Sequence, residues 1–309
     1  LVDGANAEHV GAIGAKRVPV SHGKAKMLAH GLAADPASHE SGSVNIAGGA
    51  ELNAYLLAVK VCYAVNNSCL LCAAASYAKP TPDAALEMLM KGNARFVSGK
   101  SLHPRNTPAR RQLSAVKNQG DYAYATILGC SDSRVPVELI FDAGIMDLFV
   151  IRVPGNVFQT DEIAGAEYGV GHVHTPVLMV LGHTDCGAVT ATVAMTDKHG
   201  HAHKLERNIP SLLKPIITVV AEARKNRPDL KGKALIEYAS ELNVLREIRQ
   251  LFHDSASIRA AVKAGKVKVT GAIYDIASGK VILMEQKKID RIFSEVEKDR
   301  SRSTKEFAD

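Results

Sequence analysis

The strongest constraint on the fold is a set of three short apolar runs in the middle of the chain. They cover residues 123–128, 148–153 and 177–181, and the last two are rich in Val, Ile and Phe. Runs of this length and composition are typical of strands that are buried on both faces of a sheet. Helical patterns lie between them, notably over residues 162–172. This alternation predicts an α/β fold with a central, mostly parallel β-sheet flanked by helices.

Further helices and a hairpin are predicted on either side of these runs. Thr81 and Pro82 predict the start of a helix, because Pro is favoured at the first helical position after a Thr N-cap. Later segments predict three helices over residues 188–195, 209–225 and 235–251, a hairpin within residues 266–285 that turns at Ser278 and Gly279, and a last helix over residues 289–298. The predicted fold therefore ends in a hairpin strand and a helix.

The chain divides into a leader and a globular part. Residues 1–50 are rich in Gly, Ala, Ser and His and lack helical or strand periodicity, so we expect an unstructured leader or a non-native extension. Residues 79–309 contain no internal repeat and no linker rich in Pro and Ser. We therefore expect one α/β domain over residues 79–309.

Residues 51–78 have the features of a secretory signal peptide. The stretch 61–78 carries no charge, follows Lys60 and ends in small residues. We expect cleavage after Ala78 and a periplasmic or secreted product. A membrane anchor is the competing interpretation, but a span needs about 20 strongly apolar residues, and Asn-Asn-Ser at 66–68 interrupts this one. A cytoplasmic protein with a merely disordered leader is the other alternative.

The five cysteines fall into two groups. Cys62, Cys69 and Cys72 lie in the predicted signal peptide, so the mature chain would keep only Cys130 and Cys186. The C-x-x-C formed by Cys69 and Cys72 has no strand and helix around it that would favour a redox pair. Because exposed thiols tend to oxidise outside the cytoplasm, we expect Cys130 and Cys186 to be protected.

Cys130, His183 and Cys186 directly follow two of the predicted buried strands. Their side chains should therefore meet at the carboxyl edge of the sheet. Two thiolates and an imidazole suit tetrahedral zinc, and three protein ligands leave a fourth position for water, as in catalytic zinc sites. A disulfide, or a structural zinc completed by Asp132 or Asp185, is compatible with the same positions.

The segments around these residues are CSDSRVPVE at 130–138 and GHTDCGAV at 182–189. Together they resemble the paired signature of the β-class carbonic anhydrases, and the resemblance runs from about Thr81 to about Ile292. It implies a zinc lyase, carbonate dehydratase, that reversibly hydrates carbon dioxide to bicarbonate and a proton. It also implies a homodimer or higher homo-oligomer whose active site lies near the dimer interface.

The resemblance assigns roles position by position. Cys130, His183 and Cys186 match the zinc ligands, while Asp132 and Arg134 match a catalytic Asp-Arg dyad. Zinc lowers the pKa of bound water to about 7, which provides a hydroxide nucleophile at neutral pH. Asp132 is expected to orient that hydroxide, and Arg134 is expected to hold Asp132. In some members of the family the aspartate moves onto zinc in a closed state, which would make Asp132 a fourth ligand.

A substrate pocket is implied at Phe149, Val153, Tyr168 and Gly187. Apolar walls suit neutral carbon dioxide, and a glycine leaves the metal region open. From the residues alone, the three larger side chains are equally typical of an ordinary core. The resemblance also leads us to expect that Arg152 pairs with a carboxylate inside the fold.

Two departures from the family pattern concern the surroundings of the site. Many members carry Gln nine residues before the first ligand, where this chain has Asp121, with Gln119 two residues further back. A subset binds bicarbonate at a regulatory site built around a Trp, at the position of Ile127 here. Because the chain contains no Trp, we expect no such switch.

The distribution of charge argues against nucleic-acid binding, and a run of alternating histidines has two interpretations. The net charge of +6 is spread along the chain without Lys or Arg clusters longer than pairs such as Lys287 and Lys288, so we expect no nucleic-acid partner. His199, His201 and His203 are predicted to lie in a solvated loop, with a proton relay or metal binding as the alternative.

Two other functions remain compatible with the sequence. The same fold and metal could support hydrolysis of carbonyl sulfide or carbon disulfide, a variation found among relatives of the family. A non-catalytic zinc-binding protein is the other alternative. The presence of both Asp132 and Arg134 argues against it, because a structural site needs no oriented hydroxide.

Overall fold

A computed structural model describes residues 79–197 and 206–307 of the chain. Its five strands are β1 Ala125–Gly129, β2 Leu148–Arg152, β3 Val177–His183, β4 Lys268–Tyr274 and β5 Val281–Leu283. They form one sheet in the order β2-β1-β3-β4-β5. The first four are parallel, and β5 pairs antiparallel with β4. The mostly parallel sheet and the C-terminal hairpin are confirmed.

Nine α-helices occur within the described residues. They are α1 Pro82–Val97, α2 Pro108–Val116, α3 Val137–Ile140, α4 Thr160–Gly171, α5 Gly187–Met195, α6 Ile209–Asn226, α7 Gly232–Asp254, α8 Ala256–Lys263 and α9 Gln286–Lys298. The predicted helices correspond to α1, α4, α5, α6, α7 and α9. The sequence analysis did not predict α2, α3 and α8, of which α3 has only four residues. Helix α2 has nine residues and buries none of them, and only Ser255 separates α8 from α7.

Local sequence sets the helix ends as expected. Thr81 caps α1 by accepting a hydrogen bond at Oγ1 from the Ala84 backbone N–H at 3.3 Å, and Pro82 takes the first helical position. Gln159 and Glu162 form a capping box at the start of α4. These caps satisfy backbone donors that would otherwise lack partners, and so they fix where each helix leaves the sheet.

The core lies on both faces of the sheet. Successive residues of a strand point to opposite faces, so Leu128 and Val180 pack on one face while Ile127 and Met179 pack on the other. Both β1 and β3 are buried along their whole length. Fully burying one such aliphatic side chain contributes roughly 1.5–3 kcal/mol. This two-sided burial is the physical reason that the runs at 123–128 and 177–181 are largely apolar, whereas β2 is only half-buried.

Several predictions fall outside the described residues. These are the leader at 1–50, the signal peptide at 51–78, and His199, His201 and His203. The single domain over residues 79–309 stays a prediction. Within the described ranges, no helix is both long and apolar enough to cross a membrane.

Candidate metal centre

Three potential metal ligands converge at the carboxyl edge of the sheet. Cys130 directly follows β1, His183 is the last residue of β3, and Cys186 is the N-cap of α5. Their ligand atoms all lie within 4.8 Å of one another, and all three residues are buried. Both cysteines are free, so the disulfide alternative is not formed. The predicted convergence of these three residues is therefore present in the structure.

The ring of His183 is oriented for metal binding. Its Nδ1 lies 2.9 Å from the Thr184 carbonyl oxygen, which can only accept, so Nδ1 carries the proton and donates. Nε2 then presents a lone pair. This atom is buried and has no hydrogen-bond partner in the part of the chain that the structure describes. A buried nitrogen without a partner is costly, and a bound metal ion would satisfy it.

Cys130 is the more acidic of the two thiols. Cys130 Sγ accepts backbone N–H bonds from Asp132 and Gly155, each at 3.4 Å. The neighbouring Cys186 thiol, followed by the His183 ring and the two backbone N–H groups, lowers the pKa of Cys130 to about 4 against the opposing effect of burial. The bond to Cys130 and burial raise the pKa of Cys186. Two sulfurs and one imidazole nitrogen form a donor set that fits zinc.

Asp132 and Arg134 form the expected dyad beside these ligands. Arg134 Nε donates to Asp132 Oδ1 at 3.0 Å, and Nη2 donates to Oδ2 at 2.7 Å. This bidentate contact lowers the pKa of Asp132 to about 2. The Arg134 Nη2 group also donates to the Asp185 carbonyl oxygen at 3.0 Å. The dyad thereby joins the loop after β1 to the loop after β3.

Neither nearby carboxylate joins the ligand group in this structure. The carboxylate of Asp132 is held by Arg134, and that of Asp185 lies 3.5 Å from Lys233 Nζ. The close group of ligand atoms consists of Cys130, His183 and Cys186. The structure therefore shows no fourth protein ligand among the described residues, and binding of Asp132 in a closed state stays a prediction.

Arg152 makes a different contact from the one expected. We expected a carboxylate partner, but its Nε donates to the Cys130 carbonyl oxygen at 3.0 Å and its Nη2 to the Asp132 carbonyl oxygen at 2.7 Å. The register places Arg152 opposite Gly129, so its side chain reaches the backbone that follows β1. That prediction was wrong because the nearest acceptors are backbone carbonyls.

The predicted pocket residues separate into two places. Val153 donates from its backbone N–H to the Gly129 carbonyl oxygen at 3.1 Å and packs with the buried cluster that contains Cys130 and Cys186. Phe149 instead pairs with Thr126, four residues before Cys130, which is about 13 Å along the strand.

Tyr168 lies with Phe149 rather than with the ligands. The two ring centroids are 5.9 Å apart, and Tyr168 is 51% exposed. Gly187 begins α5 beside the centre, and no atom lies within 4 Å of where its Cβ would be. The structure thus brings Val153 and Gly187 to the metal centre of the same chain and leaves Phe149 and Tyr168 at a distance.

Gln119 and Asp121 also lie away from this chain's own centre. They belong to a 3-10 turn that precedes β1, whereas Cys130 follows β1. The five-residue strand alone separates its two ends by about 13 Å.

Sequence analysis missed the turn that follows β2. Its Gly155 backbone contacts Cys130, and Asn243 of α7 contacts Gly155. The Pro-Gly-Asn triplet at 154–156 was the available signal, since Gly and Pro mark turns.

Comparison with known proteins places the chain in a family. The family profile described as carbonic anhydrase matches residues 125–281, which is about half of the chain. The chain belongs to the carbonic anhydrase family. A carbonic anhydrase of Mycolicibacterium smegmatis is 35% identical over 202 residues, which cover 65% of this chain and 93% of that protein. These matches confirm the family predicted from the two motifs.

Solved structures agree with the fold of this carbonic anhydrase. A β-carbonic anhydrase of Aspergillus fumigatus has a TM-score of 0.52 at 23% identity, covering 70% of this chain and 99% of that one. One of two tetrameric β-carbonic anhydrases of Sordaria macrospora has a TM-score of 0.50 at 22% identity, covering 65% and 97%. The α/β fold of the β class is therefore confirmed. Zinc is the cofactor of this class, and the donor set described above fits it.

Proposed function

We propose that this carbonic anhydrase reversibly hydrates carbon dioxide to bicarbonate and a proton, with zinc held by Cys130, His183 and Cys186. The observation that carries the proposal is the meeting of three buried ligand atoms within 4.8 Å, next to a carboxylate fixed by Arg134. A structural zinc site normally has four protein ligands, whereas three ligands leave a position for chemistry. The site therefore favours a lyase over a non-catalytic zinc protein.

The metal would provide the nucleophile, and the protein would prepare its surroundings. Bound zinc supplies Lewis acidity, which makes hydroxide available as a nucleophile near neutral pH. The Thr184 carbonyl keeps the proton of His183 on Nδ1, so that Nε2 is available as a ligand. Backbone N–H groups of Asp132 and Gly155 stabilise Cys130 as a thiolate.

Asp132 is placed to orient the attacking oxygen. Its pKa of about 2 keeps it ionised, so it can only accept hydrogen bonds. Arg134 donates to Oδ1 from both its backbone N–H and Nε but to Oδ2 from Nη2 alone, so Oδ2 keeps a lone-pair position available. This position can accept a hydrogen bond from the nucleophile and so direct the lone pair of the nucleophile toward carbon dioxide. Such orientation speeds the reaction because the reacting atoms start close to the productive geometry.

Carbon dioxide is neutral and small, so its pocket needs apolar walls and open space. Val153 provides an apolar side chain beside the cluster, and Gly187 leaves the adjacent space open. We assign both residues to substrate binding. Phe149 and Tyr168 can join this pocket only if they come from a second copy of the chain, because they lie far from their own Cys130.

We therefore propose a homodimer or a higher homo-oligomer in which the β2 side faces a partner. Within the described chain, β2 pairs only with β1, so its outer edge has unpaired backbone groups. Leu139 and Tyr168 are about half exposed. Sedimentation velocity on the full chain tests this assembly. A dimer or larger species that dissociates in Tyr168→Asp supports the proposal, and a wild-type monomer at micromolar concentration contradicts it.

We also propose that residues 79–309 form one catalytic domain that is exported after cleavage following Ala78. Lys79 would then be the first residue of the mature chain. Its Nζ donates to the carbonyl oxygens of Ala123 at 2.9 Å and His174 at 3.0 Å, so it belongs to the folded domain. Intact-mass measurement of the exported protein tests the cleavage site. A chain starting at Lys79 supports export, and a chain that keeps residues 51–78 contradicts it.

Substrate choice is tested by parallel assays on one zinc-loaded preparation. Stopped-flow hydration of carbon dioxide is compared with release of hydrogen sulfide from carbonyl sulfide and carbon disulfide. We expect the highest kcat/KM with carbon dioxide. A higher value with a sulfur substrate would select the hydrolase alternative, and bound zinc without any of these reactions would select a non-catalytic protein.

A further inference from the structure

The turn at residues 153–158 follows β2 and touches the metal centre directly. The Gly155 backbone N–H donates to Cys130 Sγ at 3.4 Å in a buried environment. A hydrogen bond to a ligating sulfur withdraws electron density from it. Groups that contact metal ligands in this way commonly change metal affinity or activity roughly 10- to 100-fold. The position of this turn therefore affects how Cys130 binds a metal ion.

The backbone conformation of this turn is unfavourable by itself. Gly155 has a φ of 76° and Asn156 a φ of 44°, so two consecutive residues are left-handed. This conformation is costly for Asn156, which has a Cβ, and it persists only where the surroundings hold it. Helix α6 holds one side, because a Cβ at Gly155 would lie 2.6 Å from Ile216 Cδ1. Glycine fits at position 155 because it has no Cβ to collide with Ile216 of α6.

Helix α7 supplies the polar groups that hold the turn. Asn243 Nδ2 donates to the Gly155 carbonyl oxygen at 2.8 Å, and both groups are buried. One helical turn later, the Glu247 carboxylate accepts a hydrogen bond from the Phe158 backbone N–H. Residues four positions apart lie on the same helix face. One face of α7 therefore fixes both the middle and the end of the turn.

The amide oxygen of Asn243 indicates that folding stability alone does not explain why an asparagine occupies this position. Its Oδ1 is buried and lacks a hydrogen-bond partner within the described residues. An unpaired buried acceptor lowers stability, which an apolar side chain of similar size would avoid. The benefit of the asparagine is its donor to Gly155.

We infer that Asn243 is a positioning residue of the metal centre. Its amide holds the Gly155 carbonyl and thereby keeps the Gly155 N–H on Cys130 Sγ. The inference rests on the proposed function, because it requires Cys130 to be a metal ligand. Asn243 acts through the turn and makes no contact with the reacting atoms. Its replacement should change metal affinity and the electronic state of the sulfur, in addition to stability.

The test compares Asn243→Leu with the matched control Asn93→Leu in the full chain. Asn93 is also buried, and its amide donates to the carbonyl oxygens of Ile140 at 3.1 Å and Gly279 at 2.9 Å. Neither of these partners is a metal-site residue. Zinc affinity is measured by chelator competition, and the thiolate-to-metal charge-transfer band is measured in cobalt-substituted protein. Unfolding in urea reports the loss of stability.

We expect Asn243→Leu to weaken zinc binding tenfold or more and to shift the cobalt band. Asn93→Leu should lower stability and leave both metal readouts unchanged. Asn243→Ala removes the same hydrogen-bond donor and should show the same loss of zinc affinity and the same shift of the cobalt band. It replaces Asn243→Leu in the test if the leucine variant misfolds.

Wild-type zinc affinity together with an unchanged cobalt band in the Asn243 variants would overturn the inference and leave the proposed function intact. Equal changes in both metal readouts for the Asn93 control would overturn it as well. A wild-type chain that binds neither zinc nor cobalt would instead refute the proposed function itself.

Discussion

Arg134 holds both carboxylate oxygens of Asp132, with Nε 3.0 Å from Oδ1 and Nη2 2.7 Å from Oδ2. Asp132 is therefore bound to Arg134 and does not join the ligand atoms of Cys130, His183 and Cys186. We predict that Arg134→Ala releases Asp132 to bind the metal as a fourth ligand. Hydration of carbon dioxide should then fall at least tenfold while zinc content is retained. X-ray absorption at the zinc edge should show a carboxylate in place of the solvent oxygen at the fourth position.

A double variant separates this explanation from simple loss of the arginine. Adding Asp132→Asn to Arg134→Ala removes the carboxylate that would occupy the metal. The double variant should lose the added carboxylate signal and stay slow, because the orienting carboxylate is gone. The same absorption spectrum for the single variant and the wild type would show that Arg134 does not restrain Asp132.

Removal of the histidine ligand should abolish zinc binding. We predict that His183→Ala retains less than a tenth of the wild-type zinc after dialysis against a chelator, because only the two thiolates remain. Full-chain protein is compared with His172→Ala, which replaces an exposed histidine at the end of α4. His172→Ala should keep its zinc. Retention of full zinc by His183→Ala would show that the ligand set is wrong.

Zinc should also contribute to stability. A ligand that binds only the folded state stabilises it by about 2.7 kcal/mol when its free concentration is 100 times its Kd. Chelation should therefore lower the Tm of the wild type and leave that of His183→Ala unchanged. Equal shifts in both proteins would contradict binding at this site.

Glu247 should make stability depend on pH. Burial raises its pKa from 4.5 to about 7, against the opposing effect of Arg246, while Glu162 adds to the increase. Between these pH values the folded state holds more protons than the unfolded state, so the free energy of unfolding falls as pH rises. The stabilisation from protonated Glu247 is complete below pH 4.5 and is lost progressively as the pH rises from 4.5 through 7. Its full size is at most about 3 kcal/mol.

Glu247→Gln tests this dependence. The variant should show a flatter stability profile between pH 4.5 and 7 in urea unfolding of zinc-loaded protein. Glu241→Gln, at an exposed position of the same helix, is the matched control and should keep the wild-type slope. An unchanged slope in Glu247→Gln would mean that Glu247 titrates normally.

Two glycines of α4 should respond differently to alanine. A Cβ at Gly169 would lie 2.2 Å from Thr126 Oγ1, whose hydroxyl is hydrogen-bonded to Thr175 at 2.7 Å. We predict that Gly169→Ala lowers the free energy of unfolding by about 2 kcal/mol or more. Gly171→Ala meets no atom within 4 Å and should be neutral or stabilising by up to about 1 kcal/mol. Equal effects in thermal unfolding would contradict the close packing of α4 on β1.

The elements that could be predicted are those whose sequence signal is local. β1 and β3 are buried on both faces, which makes most of their residues apolar, and the ends of these strands place Cys130 and His183. The hairpin was equally visible, because Gly279 takes a φ of 73° at its turn. Helix α2 escaped prediction because it is only nine residues long and buries no residue.

The parts that could not be predicted depend on contacts between distant segments. Asn243 and Gly155 are 88 residues apart, and nothing in the local sequence of α7 indicates that its amide faces a turn. Arg152 was assigned a carboxylate partner from the family resemblance, yet its side chain donates to backbone carbonyls. Phe149 and Tyr168 match the family at the level of sequence, and only the strand register places them away from their own metal centre.

The most direct test of the account measures carbon dioxide hydration and zinc content together, in the wild type and in Asp132→Asn. We predict one zinc per chain in both proteins and rapid hydration by the wild type. Hydration should fall about 100-fold or more in the variant, because the carboxylate that orients the nucleophile is lost. A wild-type protein that carries full zinc without hydrating carbon dioxide, or a variant that is as fast as the wild type, would contradict the account.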